Sequence, residues 1–268
     1  MPSPSTTNNP QPATSNPVIE LKHVSKRFGR LVVLDDFSLS VERGKCLVII
    51  GPSGTGKSVM LKHIVGLLCP DSGQVWYDGR RIDQMSQREL MAVRTEFGFL
   101  FQMGALFDSM TVAQNVAFPL VEHSDKRSRE VRDVAEQKLA MVGLPGTGSK
   151  MPMEMSGGQR KRVALARAIA LDPKVILYDE PTTGLDPIRS DVINELIIKL
   201  QRELNVTSVV VTHDMQSAMK VADRIVMLTR GRIVFDGTPD QLRDNEDPVV
   251  RRFVVGEASE EELAGLRG

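Results

Sequence analysis

From about Val18 onward, the spacing of apolar positions sorts the chain into short strands and longer helices. "VIELKHVSKRF" and "LVVLDDFSLSV" alternate in part, which predicts two strands with one covered face. "KCLVIIG", residues 45–51, is a continuous apolar run that stops at glycine, the pattern of a strand buried on both faces. Residues 57–68 take the helical period and end at the Pro70-Asp71-Ser72-Gly73 turn. "GQVWYDG" predicts a short strand. Ser86 and Glu89 have capping-box spacing for a helix reaching about Glu96, and "FGFLFQ" is a further buried strand.

Between 103 and 155 helical spacing dominates, in "TVAQNVAFPLV" and "SREVRDVAEQKLAMVG". Alternation resumes at 157: a helix to about Ala170, the strand "KVILYDE", a helix over 187–203 and the strand "TSVVVTH". A short helix and a hairpin turning at Arg230-Gly231 complete the pattern. Strands alternating with helices predict an α/β fold with a parallel sheet. A unit over 18–245 is expected, with a helical subdomain inserted at about 103–158. Residues 1–17 are rich in Pro, Ser, Thr and Asn and carry no charged side chain, so a disordered N-terminal tail is expected. Residues 246–268 predict a C-terminal helical extension. Val249, Val250, Phe253 and Val254 share one helical face, and Ser259 with Glu262 can cap a second short helix bearing Leu263 and Leu266.

Composition narrows the function classes. The 34 basic and 34 acidic residues balance to zero, which argues against a nucleic-acid partner held by phosphate neutralisation. The two cysteines, Cys46 and Cys69, suggest small buried hydrophobes in a reducing compartment rather than a disulfide framework. No apolar run approaches the about 20 residues that a bilayer crossing needs. The N-terminus lacks the apolar core of a signal peptide. Any link to a membrane is therefore expected to run through a partner.

The chemistry concentrates at three places. Gly51-Pro52-Ser53-Gly54-Thr55-Gly56-Lys57-Ser58 is a G-x-x-x-x-G-K-[ST] run between a predicted strand and a predicted helix. Its glycines let backbone N–H groups converge on phosphate oxygens, and the helix start adds a favourable dipole. Lys57 brings charge to the β/γ-phosphates, and Ser58 offers a hydroxyl to Mg²⁺. "KVILYDEP" supplies Asp179 as a second Mg²⁺ holder and Glu180 as a candidate general base. These features predict a nucleoside triphosphatase. The third place is "MSGGQRKRVALARAIA", where Ser156 and Gln159 form a capping box and Gly157 and Gly158 bare the backbone. One nucleotide cannot easily use both helix starts of one chain, and a dimer resolves this.

Ser156-Gly157-Gly158-Gln159 resembles the signature motif of ABC transporter ATPases. The P-loop, Gln102 after a strand, "YDEP", "GLDP" at 184–187 and His213 after "SVVVT" fall in that family's order. The resemblance covers roughly residues 18–240. It implies a P-loop NTPase (RecA-like) parallel-sheet core with an antiparallel β subdomain and an inserted helical subdomain. It further implies ATP and Mg²⁺ as cofactors, with Phe28 stacking on adenine and Val59 continuing the phosphate loop. Gln102 would sense Mg²⁺ and the attacking water, Asp186 would link the two sites across the dimer, and His213 would contact the γ-phosphate. The chain departs from the family pattern at Met155, where leucine is usual, and at Val59, where threonine is common.

"FQMGALFDSM", residues 101–110, then falls where such ATPases receive a helix from an integral membrane permease. The longer string "FQMGALFDSMTVAQNVAFPL", with "GKSVMLKHIVGLL" before it, resembles the ATPases of Mce-type phospholipid (Mla) transporters. This implies partners: a second copy of the chain, a permease, an Mce-domain lipid-binding protein and a small accessory protein. It implies a place at the cytoplasmic face of the inner membrane, held through the permease. The C-terminal stripe would either fold on its own core or reach a neighbouring subunit or the accessory protein. An importer of another solute and a non-transport ABC protein stay open as alternatives. A P-loop kinase gives no reason for the SGGQ helix.

Overall fold

The computed structural model describes residues 17–257. Strands β1 (Pro17–Phe28) and β2 (Leu31–Glu42) pair antiparallel. Strand β3 (Cys46–Ile50) leads through the glycine-rich loop to helix α1 (Lys57–Ile64). Strands β4 (Ser72–Tyr77) and β5 (Arg80–Arg81), helix α2 (Gln87–Arg94) and strand β6 (Phe97–Leu100) follow. Helices α3 (Val112–His123) and α4 (Ser128–Met141) come next, then a single 3₁₀ turn at Pro152–Glu154 and helix α5 (Gly157–Ala168). The chain continues through β7 (Val175–Asp179), α6 (Pro187–Leu204), β8 (Thr207–Val211) and α7 (Met215–Val221). It ends with the hairpin β9 (Arg224–Thr229) and β10 (Arg232–Gly237), then α8 (Pro239–Arg243) and α9 (Pro248–Val255).

Two sheets form. One has the order β2-β1-β4-β5 and is antiparallel; the other has the order β10-β9-β3-β8-β7-β6, parallel except for the β10 edge. Period-two alternation divides each central strand between two cores. Cys46, Val48 and Ile50 of β3 face a core shared with α3 to α7, while Leu47 and Ile49 face a core shared with the antiparallel sheet and α1. β7, β8 and β9 split in the same way. Both faces are covered, which is why these strands read as continuous apolar runs rather than alternating ones.

Three expectations need correction. Helix α1 stops at Ile64 rather than near 68. Gly66 takes φ +64 there, and Arg94 of α2 donates from Nε to the Val65 carbonyl (3.1 Å) and from Nη2 to the Gly66 carbonyl (2.7 Å). Those two bonds satisfy carbonyls at the end of the helix and fix its stop. Cys46 is buried as expected, but Cys69 is exposed, because it lies in the turn that this early stop creates. On α9, Val250 is fully buried and Phe253 and Val254 pack on the chain's own core, whereas Val249 is exposed and leaves the predicted stripe. The second C-terminal helix with Ser259 and Glu262, and all of the N-terminal tail except Pro17, lie outside the described residues.

Candidate functional site

The carboxyl ends of β3, β8 and β7 lie side by side in the parallel sheet, with β8 in the middle. Open parallel sheets bind ligands at that edge. The glycine-rich loop leaves β3 there, with Gly51 at φ +145 and Gly56 at φ +99. A Cβ on Gly51 would sit 2.1 Å from the Leu228 carbonyl oxygen, and one on Gly56 would sit 2.8 Å from the Val33 carbonyl oxygen. Only glycine fits either place. Pro52, Ser53 and Gly54 are exposed on the crest of the loop, and the Thr55 hydroxyl donates to the Pro52 carbonyl at 2.9 Å. Lys57 is buried and curls back, donating to the carbonyls of Gly51 (2.7 Å) and Pro52 (2.8 Å). Burial pulls its pKa below the usual lysine range, opposed by the carboxylates of Glu180 and Asp179.

Ser58 spans the gap between strands: its hydroxyl donates to Asp179 Oδ1 at 3.1 Å. Burial raises the Asp179 pKa, and the Ser58 bond works against that rise. A hydroxyl and a carboxylate brought together beside a phosphate loop suit a hard, oxygen-seeking dication. Among the described residues no cluster of three His, Cys, Asp or Glu could cage a metal alone. A cation here would need phosphate oxygens to complete its shell.

Glu180 follows with φ +51, a left-handed backbone that costs an L-residue roughly 1–2 kcal/mol. Several bonds hold it. Its N–H donates to the Val211 carbonyl at 2.9 Å, and its carbonyl accepts from Lys161 Nζ at 3.0 Å. Its Oε2 accepts from Thr183 Oγ1 at 3.1 Å and pairs with His213 Nδ1 at 2.9 Å. Asp214, beside His213, is fixed by hydrogen bonds from Thr182 and Ser217 and caps α7. The structure thus brings Lys57, Ser58, Asp179, Glu180 and His213 together. Sequence reading missed Thr182, Thr183, Lys161 and Asp214. Asp214 was visible as an N-cap candidate directly after His213, and Thr183 lies only three residues after Glu180; Thr182 and Lys161 depend on packing between distant segments.

Ser156 N-caps α5: its hydroxyl accepts from Gln159 N at 3.3 Å, and Gln159 Oε1 accepts from Ser156 N at 2.9 Å. Gly158 is buried against Arg189, and Gly157 lies near Leu185. Asp186 caps α6, accepting from Arg189 N at 3.0 Å. Ser156 and Asp186 are both exposed.

An ABC transporter sequence profile matches residues 34–183. The chain belongs to the ABC transporter family.

Relatives extend that match over most of the chain. The intermembrane phospholipid transport ATP-binding protein MlaF of Escherichia coli K12 is 43% identical over 239 residues, covering 89% of this chain and 89% of that protein. MlaF of Haemophilus influenzae is 44% identical, covering 90% and 91%. The probable ribonucleotide transport ATP-binding protein mkl of Mycobacterium leprae is 46% identical over 89% of this chain, which spans 69% of that protein. Among solved structures, a dimeric ATP-binding cassette in a post-hydrolysis state with ADP and Pi is 35% identical at TM-score 0.76. It is covered over 98% of its length by 82% of this chain. The chain is therefore an ABC ATPase with a P-loop NTPase fold. Met155, one of the two departures from the family pattern, is buried in the core, where an apolar swap of similar volume is tolerated. Val59 packs half-buried against the other core.

Phe28 ends β1 half-exposed, with the Lys26 ammonium 5.7 Å from its ring centroid. Gln102 is exposed in the turn after β6. The following segment is tied down from below. Arg167 of α5 donates to the carbonyls of Ala105 (2.8 Å) and Gly104 (2.9 Å). Buried Asn115 accepts from Phe107 N and donates to the carbonyls of Phe107, Met110 and Thr111. Phe101, Met103 and Phe107 remain exposed, Met103 at 89%.

Proposed function

We propose that this chain is the ATP-hydrolysing subunit of a transporter that moves phospholipid across the cell envelope. The observation that carries the reading is the convergence of Lys57, Ser58, Asp179, Glu180 and His213 at the carboxyl ends of adjacent strands. The loop from Gly51 to Ser58, continued by Val59, cradles the triphosphate, and Phe28 stacks on adenine. Glu180 accepts a proton from water as the water oxygen attacks the γ-phosphorus. The bond to the β–γ bridging oxygen breaks, and ADP and phosphate leave. His213 positions Glu180 and contacts the γ-phosphate, while Gln102 orients the water. Ser58, Asp179 and Gln102 would hold Mg²⁺, which when bound neutralises charge on the phosphate oxygens.

Ser156, Gly157, Gly158 and Gln159 face the nucleotide of a second copy, with Asp186 between the two sites. The exposure of Ser156 and Asp186 supports this, as does the dimeric state of the solved relative. Apolar Phe101, Met103 and Phe107, held on a pinned loop, suit a helix of an integral membrane permease. The names of the MlaF relatives support phospholipid as cargo. An Mce-domain protein and a small accessory protein complete the proposed set of partners. The chain would then sit peripherally on the inner membrane's cytoplasmic face. The name of the mycobacterial relative favours a second reading, a nucleotide-type solute. Affinity isolation from the source membranes, followed by mass spectrometry of bound lipid, separates the two. A permease with bound phospholipid is expected. A permease with a polar solute and no lipid overturns the cargo, and isolation with ribosomes or DNA overturns the transporter reading.

A further inference from the structure

Three basic residues follow the Ser156 turn on α5, and they do different work. Arg160 donates to the Met155 carbonyl of its own helix start, and Arg162 donates to the carbonyls of Val142 and Gly143. Lys161 instead points inward. It is 7% exposed, and its Nζ reaches across to the Glu180 carbonyl oxygen at 3.0 Å. A lysine ammonium is rarely buried without a partner, because its lost hydration must be offset. Burial holds its pKa below the usual range and the Glu180 carboxylate pulls it back up, so Glu180 offsets part of that cost.

Glu180 is an unusual residue to hold this way. Its backbone is left-handed at φ +51, and its other contacts come from Val211, Thr183 and His213, the strand end and loops around the same sheet edge. Among the described residues, Lys161 alone ties it to α5. A strained backbone persists only where its surroundings over-determine it, so each tie affects where the carboxylate points. The start of α5 is the surface assigned above to the partner's nucleotide. Glu180 serves the chain's own nucleotide. One side chain therefore spans from the helix that meets one site to the base of the other.

We propose that Lys161 is a positioning residue that transmits the placement of α5 to the backbone of Glu180, aligning the base when the partner's nucleotide seats against Ser156 to Gly158. The proposal rests on Glu180 as base and on the in-trans role of α5. Lys161→Met keeps length and apolar stem but loses the donor. In the full chain it should lower kcat on the order of 10–100-fold, the cost of a small misplacement of a reacting group. ATP affinity and KM should stay within about twofold, since a positioning loss acts on the chemical step. The Hill coefficient for ATP should fall toward one, and Lys161→Arg should restore much of the rate. If the Met variant does not fold, Lys161→Gln, which keeps an N–H donor, replaces it and should show an intermediate kcat. Wild-type kcat in a folded Lys161→Met overturns the proposal, as does a loss of ATP affinity that matches the loss of rate. Glu180→Gln runs alongside. If it hydrolyses ATP normally, the base reading fails and the Lys161 proposal falls with it. If it is inactive while Lys161→Met is normal, only the Lys161 proposal fails.

Discussion

Two helices of this chain start where an anion is expected, and they start differently. α1 begins at Gly56, whose φ of +99 only glycine tolerates at that crowded place, and no side chain caps its first turn. Its first backbone N–H groups are available to phosphate oxygens. The lysine at its first position is buried against loop carbonyls and two nearby carboxylates. α5 begins at Ser156 in extended backbone, with both halves of a capping box formed. Its serine is exposed, and the Ser156 and Gln159 N–H groups are already partnered within the box. The first start suits a ligand held by the chain itself. The second is a finished, rigid edge that suits a ligand brought by another surface.

The largest expected break is Lys57→Ala. On the proposed reading the ammonium serves the β/γ-phosphates, so without it hydrolysis should fall to background and ATP affinity should weaken. Calorimetric titration with ATP beside a phosphate-release assay checks both; near wild-type turnover would remove α1 from the nucleotide site.

Ser156→Arg tests the other start. Bulk and charge at the α5 edge should stop hydrolysis while an isolated monomer still binds ATP. Mixing this variant with Glu180→Gln subunits should not restore full activity. A monomer that loses ATP affinity would place α5 in the chain's own site, and the contrast between the two helix starts would disappear.

Much of this contrast was legible in the sequence, because it is written in local chemistry. The Gly51 to Ser58 run between a strand and a helix, and serine with glutamine three residues on, each fix a backbone geometry within a few residues. The six strands of the parallel-type sheet followed from apolar runs and turn residues, and the helices between them from their period. What stayed hidden depends on distant partners. Arg94 stops α1 early, and that stop exposes Cys69. The left-handed Glu180 and its tie to Lys161 need the register of α5 against β7, which no local pattern carries. Helix α8 was missed although "TPDQ" holds its whole signal, a Thr238–Gln241 capping box with proline at the first position.

A paired glycine test sharpens the comparison at smaller scale. Gly56→Ala puts a Cβ 2.8 Å from the Val33 carbonyl oxygen at positive φ, so it should destabilise the chain by more than about 1 kcal/mol and weaken ATP binding. Gly157→Ala meets nothing closer than Leu185 Cδ2 at 3.9 Å, so thermal stability should hold while dimer-dependent hydrolysis drops. Equal melting losses in the two variants would mean that both starts are internal backbone constraints.

The smallest expected effect is Ser156→Ala. It deletes the hydroxyl that accepts from Gln159 N at 3.3 Å and leaves the reciprocal bond from Ser156 N to Gln159 Oε1 at 2.9 Å. Loss of an N-cap typically costs about 1 kcal/mol. In a domain of this size that lowers Tm by about 2–4 °C. The monomer's ATP affinity should not change, because the cap serves α5 and not the phosphate loop. Gln159→Ala removes the other half of the box and should cost a similar amount. The double variant should cost less than the sum, since each half orders the partner of the other. Additive losses would show that the two bonds act separately, and an unchanged Tm in Ser156→Ala would show that packing against Arg189 and Leu185, not the capping box, sets the start of α5.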